Sequence, residues 1–205
     1  FDEAGLPDAM RSDNGAPFGS TGAGGLSALS VWLLKLGIEP RYIPPSSPQH
    51  NGRHERMHRT LKAETTRPAA ATAAEQQARF DRFRQHYNED RPHEALAQTP
   101  PARHWQPSAR RYPEKIPDPW YDADHEVRRV RQQGDIKWRG EHVFIGEAFA
   151  GELVGLADQG DGRTLVGFCG RDLGMIDTTF RLRRFAPPRA RLRSAAETER
   201  GTNKE

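Results

Sequence analysis

The chain has 205 residues, 35% hydrophobic and 29% charged, with a formal net charge of +3. That is enough for one ordinary domain, or a partial domain and a small one, with a modest core. The single cysteine, Cys169, excludes an intrachain disulfide framework and a cysteine-based zinc site, and no apolar run reaches bilayer-spanning length.

The charge is unevenly distributed. Arg181 to Arg193 holds six arginines and no acid, and Val127 to Arg131 holds three. Such blocks suit phosphate partners or a solvated surface. The sequence opens at Phe1 on FDEAGLPDAMRSDNG, which reads as the interior of a domain, so further residues are expected upstream.

After this opening, the Gly-rich stretch 18–25 is expected to form a loop. Leu26, Leu29, Leu33 and Leu36 share one face of a helix that Gly37 would stop. Arg41-Tyr42-Ile43 reads as a short strand closed by Pro44-Pro45, and residues 49 to 66 read as a helix. A second helix is expected over Ala73 to Tyr87, with Phe80, Phe83 and Tyr87 as its core stripe. A short helical piece is expected near Glu94 to Ala97, before a Pro- and Asp-rich linker at 107–124. From residue 125 the pattern changes to short strands: 127–130, 135–138, 141–145, 153–157, 164–168 and 173–176. Tight Gly-containing turns separate them, and the expectation is a small all-β barrel over 125–188. Residues 189–205 read as a disordered basic and polar tail.

Two acids carry the chemical reading. Asp13 sits in Ser-Asp-Asn-Gly and Glu55 in His-Asn-Gly-Arg-His-Glu-Arg. Two-metal phosphodiester chemistry needs carboxylates from distant parts of the chain at one point, and Mg²⁺ or Mn²⁺ suits oxygen ligands. Glu55, His58, Arg59 and Lys62 fall on one helical face, flanked by Arg53 and Arg56. A carboxylate among cations suits a metal site beside DNA phosphates. Each feature also has a plain reading, a turn for Asp13 and a solvated face for the helix. His50, His54 and His58 at four-residue spacing offer a zinc alternative, but no further ligand pair follows at zinc-site spacing.

RSDNGAPF, then LGIEPRYIPPSSPQHNGRHERMHRTLKAE, then HYNEDRPHEALAQTPPARHW resembles the integrase core of insertion-sequence transposases. The resemblance covers roughly residues 1–106 and implies part of an RNase H-like α/β fold. It implies that Asp13 is the second and Glu55 the third catalytic and metal-binding carboxylate, the first being absent here. Two Mg²⁺ or Mn²⁺ ions are implied, with DNA cleavage and strand transfer as the activity of the complete protein and inactivity for this stretch alone. Forty-one residues separate the two acids, more than the commonest family spacing, and the Gly-rich loop can absorb the excess. The β region is similar to the small barrel that follows many transposase cores, with Arg128, Arg129, Arg131, Lys137 and Arg139 as candidate phosphate contacts. Double-stranded DNA, both element ends and target, is the implied partner, in a homo-oligomeric complex in the cytoplasm. The alternative is a non-catalytic DNA-binding remnant.

Overall fold

The computed structural model describes residues 1–44 and 52–185, and contacts divide the chain between two units. One comprises Phe1–Leu6 and Ser46–Arg111, the other Pro7–Pro45 and Tyr112–Glu205. The expected tail at 189–205, His50 and the first turn of the helix expected from residue 49 lie outside the described residues.

The first unit is built on two helices, α2 (Gly52–Thr65) and α3 (Ala73–Gln85). Thr72 caps α3 by accepting a hydrogen bond from the Glu75 amide at 3.2 Å. Gln76 clasps the connection, donating to the Thr65 carbonyl and accepting from the Ala70 amide, each at 3.0 Å. The aromatic stripe expected on α3 faces inward only in part: Phe83 is buried, while Phe80 and Tyr87 are half-buried. Helical structure continues past α3 as a π-turn over His86–Asp90, which brings Tyr87 onto Phe83 with ring centroids 5.3 Å apart. The N-terminal residues lie along 108–110, where Gly5 has φ +70° and an added Cβ would approach the Arg110 carbonyl oxygen at 2.8 Å.

The second unit begins with a parallel pair, β1 (Ala9–Ser12) and β2 (Glu39–Tyr42), in register from Ala9↔Glu39 to Ser12↔Tyr42. Parallel strands require a crossover, supplied by the glycine-rich loop and α1 (Ala28–Lys35). Ser27 caps α1. The remaining strands are β3 (His125–Arg129), β4 (Asp135–Trp138), β5 (Glu141–Phe144), β6 (Leu153–Asp158), β7 (Thr164–Phe168), β8 (Arg171–Ile176) and β9 (Leu182–Arg184). β3, β6, β7, β8 and β9 form one antiparallel sheet in that order, and β4–β5 is a separate hairpin.

The expected barrel is therefore corrected in one respect: strand pairing gives an open sheet. β3 and β9 stand at its two ends, and no ladder joins them among the described residues. The reason is local. After β3 the chain turns sharply, with the Arg131 amide bonded to the Asp135 carbonyl and the Gly134 amide to the Arg131 carbonyl, and leaves the sheet for the β4–β5 hairpin. Two hairpins close through left-handed residue pairs, Arg139-Gly140 and Cys169-Gly170, all four with positive φ. That twist matches the right-handed twist of paired strands.

The core of this unit draws on both of its chain segments. Ala23, Leu26 and Val31 are buried in one cluster with Ile136, Val143 and Phe149, among others from the β segment. Phe149 and Phe168 meet edge-to-face at 5.3 Å. Lys35 of α1 pairs with Glu152 at 2.8 Å, both side chains mostly shielded. Tyr121 lies over Gly155, where an added Cβ would come within 2.6 Å of the ring, and donates its hydroxyl to the Leu153 carbonyl at 2.8 Å.

Candidate functional site

Asp13 follows directly on β1, at the carboxyl end of the parallel pair, where open α/β sheets commonly present ligands. Its Oδ1 accepts the Gly15 amide at 3.0 Å in a tight side-chain turn. The carboxylate is exposed and makes no ion pair among the described residues. Its neighbour Asn14 donates from Nδ2 to the Ile43 carbonyl at 2.6 Å, and the Ile43 amide bonds back to the Ser12 carbonyl at 2.9 Å.

The far end of the same loop is held by hydroxyls. The Phe18 carbonyl lies 2.8 Å from Ser27 Oγ, 2.6 Å from Ser30 Oγ and 3.1 Å from the Tyr42 hydroxyl. Ser30 is buried, at 1% exposure. A motif marks Asp13 as a candidate, whereas nothing in the local sequence marks Ser30 or Tyr42.

Glu55 lies in the first turn of α2, exposed and without an ion pair among the described residues. The helix places Arg53, Arg56, His58, Arg59 and Lys62 around it, all exposed. None of Arg53, Arg56, Arg59 and Lys62 has a carboxylate partner among the described residues; the acid near the helix end, Glu64, is taken by Arg91 at 2.9 Å. His58 and His54 approach Nε2 to Nε2 at 2.8 Å. Met57, Leu61, Phe80, Phe83 and Tyr87, together with Arg53 and His54, line a groove of about 710 Å³ between α2 and α3. Asp13 and Glu55 belong to different units, and each is described within its own.

The arginines of the β segment are differently placed. Arg128 pairs with Glu126 at 2.7 Å and stacks over Trp138, its Cζ 5.5 Å from the ring centroid. Arg129 donates to the Gly151 carbonyl at 2.6 Å and approaches Asp118 at 4.0 Å. Arg131 binds Asp135, which also receives His142 at 2.8 Å. These hydrogen bonds, His142 first and Arg131 second, hold the Asp135 carboxyl below its ordinary range. Arg139 pairs with Asp158 at 2.7 Å, leaving Lys137 exposed and free of such a partner among the described residues.

Residues 36–101 match the integrase core domain family, and residues 125–182 match the C-terminal domain of IS481 family transposases. The chain is related to insertion-sequence transposases. A curated relative is the insertion element IS476 uncharacterized 39.2 kDa protein of Xanthomonas euvesicatoria, 32% identical over 99 residues. That alignment takes in 48% of this chain and 27% of the relative's length, so the chain spans about a quarter of the protein it matches. The integrase core match includes Glu55 and the whole of α2, and begins after Asp13. The transposase C-terminal match runs from the start of β3 to the first residue of β9.

The donor chemistry around the two acids suits a hard divalent ion. Asp13 and Glu55 both offer exposed carboxylate oxygens, the ligand type Mg²⁺ prefers. Among the described residues there is no group of three or more His, Cys, Asp or Glu side chains arranged to hold a metal. No helix among the described residues is long and apolar enough to cross a membrane.

Proposed function

We propose that this transposase chain carries part of the apparatus that cuts and joins DNA strands. Asp13 and Glu55 serve as two of its metal-binding carboxylates. The observation that supports this reading most strongly is the surface of α2. Glu55 stands beside Arg53, Arg56, Arg59 and Lys62, whose charges the protein leaves unmatched among the described residues. Unpaired cations around one carboxylate suit a polyanion running past a metal ligand.

Mg²⁺ or Mn²⁺, two ions in the complete site, would be held by Asp13, Glu55 and a further carboxylate for which no residue of this chain is proposed; bound there, they would stabilise charge on the attacking and leaving oxygens. The chain's own residues do the remaining work. Arg59 and Lys62 bind backbone phosphates, while Arg53, Arg56 and His58 extend the contact along the duplex. Water attacks the scissile phosphodiester in line as the opposite P–O bond to the 3′-oxygen breaks, leaving a free 3′-hydroxyl and a 5′-phosphate; that 3′-hydroxyl then attacks a target phosphodiester, whose own 3′-oxygen leaves, with no covalent link to the protein. The fold in this reading is part of an RNase H-like core over 1–106, joined by 107–124 to a small β domain at 125–188 that adds DNA contacts. Element ends and target DNA are the partners, met in the cytoplasm by a homo-oligomer that holds two ends together.

The full-length protein with Glu55→Gln should lose strand cleavage by about 10²–10³-fold and keep its DNA affinity. That scale follows from removing one charged participant of a preorganised site. Retained cleavage would refute the assignment. A second reading, a DNA-binding remnant without catalysis, rests on the same unmatched cations of α2, which would attract phosphate with or without a metal. That reading predicts no cleavage by the parent protein at any Mg²⁺ concentration.

A further inference from the structure

We infer that Tyr42, acting with Ser30 and Asn14, is a positioning residue that holds the Asp13 loop in the shape a metal ligand requires. The inference rests on reading Asp13 as such a ligand.

The loop from Asp13 to Phe18 is tied at both ends. At its start, Asn14 Nδ2 reaches the Ile43 carbonyl at 2.6 Å. At its end, the Phe18 carbonyl is the focus of three hydroxyls. A carbonyl has two lone pairs, so the three contacts cannot all be full hydrogen bonds. One assignment satisfies every group. Ser27 and Ser30 donate to Phe18 at 2.8 and 2.6 Å, and the Tyr42 hydroxyl donates to Ser30 Oγ at 2.6 Å rather than to Phe18 at 3.1 Å. Ser27 Oγ then accepts the Ser30 amide at 3.2 Å as the cap of α1.

Tyr42 thereby joins two points on one frame. Its backbone is in register with Ser12, the residue before Asp13, and its side chain reaches the hydroxyl cluster at Phe18. The loop is also tightly packed, because a Cβ on Gly19 would meet the Asn14 carbonyl oxygen at 2.5 Å. A carboxylate carried on such a loop keeps its direction only while both ties hold, as outer-shell partners orient metal ligands.

Tyr42→Phe removes one hydroxyl and keeps the ring. In the full-length protein it should weaken Mn²⁺ binding about ten-fold, measured by electron paramagnetic resonance, the scale of lost outer-shell support. DNA affinity should stay at the parent value, and the melting temperature should fall by no more than about 2–4 °C, the cost of that one hydrogen bond. Amide exchange at Phe18 and Gly19, whose N–H groups close the loop on the Gly15 carbonyl, should quicken about five-fold, the scale of one lost hydrogen bond. Asn14→Ala, which loosens the opposite end, should weaken Mn²⁺ binding in the same direction.

Parent-like Mn²⁺ binding in both variants, with Asp13→Asn deficient, would overturn the positioning role and leave Asp13 as ligand. Parent-like Mn²⁺ binding in Asp13→Asn would instead remove the functional reading. Unchanged amide exchange in Tyr42→Phe would overturn the clamp whatever Asp13 does. A melting temperature lowered by more than about 5 °C, well beyond one hydrogen bond, would assign Tyr42 a purely structural part.

Discussion

Asp177 organises the turn between β8 and β9 with one half-buried side chain. Its carboxylate accepts the Thr179 hydroxyl at 2.6 Å, the Thr179 amide at 2.9 Å, the Arg181 amide at 3.1 Å and Arg183 Nε at 2.7 Å. These contacts, the Thr179 hydroxyl first, hold its pKa far below the ordinary carboxylate value of 3.8. A carboxyl depressed on folding stabilises the folded state above its unfolded pKa, and that contribution fades as pH falls toward its folded pKa. Acid should therefore destabilise the parent progressively below about pH 4, and Asp177→Asn should show a shallower loss over that window in urea titrations. Cys169 is the opposite case. Burial first, then the Glu152 charge, pushes its thiol up to about 11, so it stays a thiol at neutral pH. At this scale the surrounding motifs mark Asp13 and Glu55 as candidates, and their role is a proposal. The sequence did not disclose Ser30 or Tyr42, because a hydroxyl's role depends on which carbonyl it meets across twelve or twenty-four residues.

Among the elements, α2 and β3 carry similar arginine-rich strings with different surroundings. The cations of α2 lack carboxylate partners among the described residues, whereas Arg128 and Arg131 are committed to Glu126 and Asp135. Exposed ion pairs contribute little stability, but they neutralise charge that would otherwise attract phosphate. Arg59→Ala and Lys62→Ala should each weaken DNA binding and lower the salt-dependence slope by about one. Arg131→Ala should leave that slope nearly unchanged. Fluorescence anisotropy across a salt series checks both.

Elements built on periodicity or turn glycines were legible: α1, α3 and strands β4 to β8 fall close to their expected spans. β9 was not, because Leu182–Arg184 sits inside a basic block and is a strand only by pairing with β8. Gly155 is the element-level weak point of the sheet. Gly155→Ala must displace the Tyr121 ring and should cost about 1–3 kcal/mol, read from denaturant midpoints, although nothing in the alternating strand pattern marks that glycine.

Across the whole molecule, composition foretold a modest core and the structure shows how it is assembled. Ala23, Leu26 and Val31, read from sequence as part of a loop and a core helix, pack in the cluster that buries Phe149 and Phe168. Periodicity tells which face of a helix is apolar and says nothing about which distant strands will cover it. Asp13 and Glu55 belong to different units, and that they share a metal is a proposal. Iron-directed cleavage tests it most directly. The full-length protein is loaded with Fe²⁺ in place of Mg²⁺, treated with ascorbate and peroxide, and the backbone cuts are mapped by mass spectrometry. Cuts near both Asp13 and Glu55, all lost in either Asp13→Asn or Glu55→Gln, are the predicted result. Cuts near one acid that persist when the other is replaced would contradict a shared metal site.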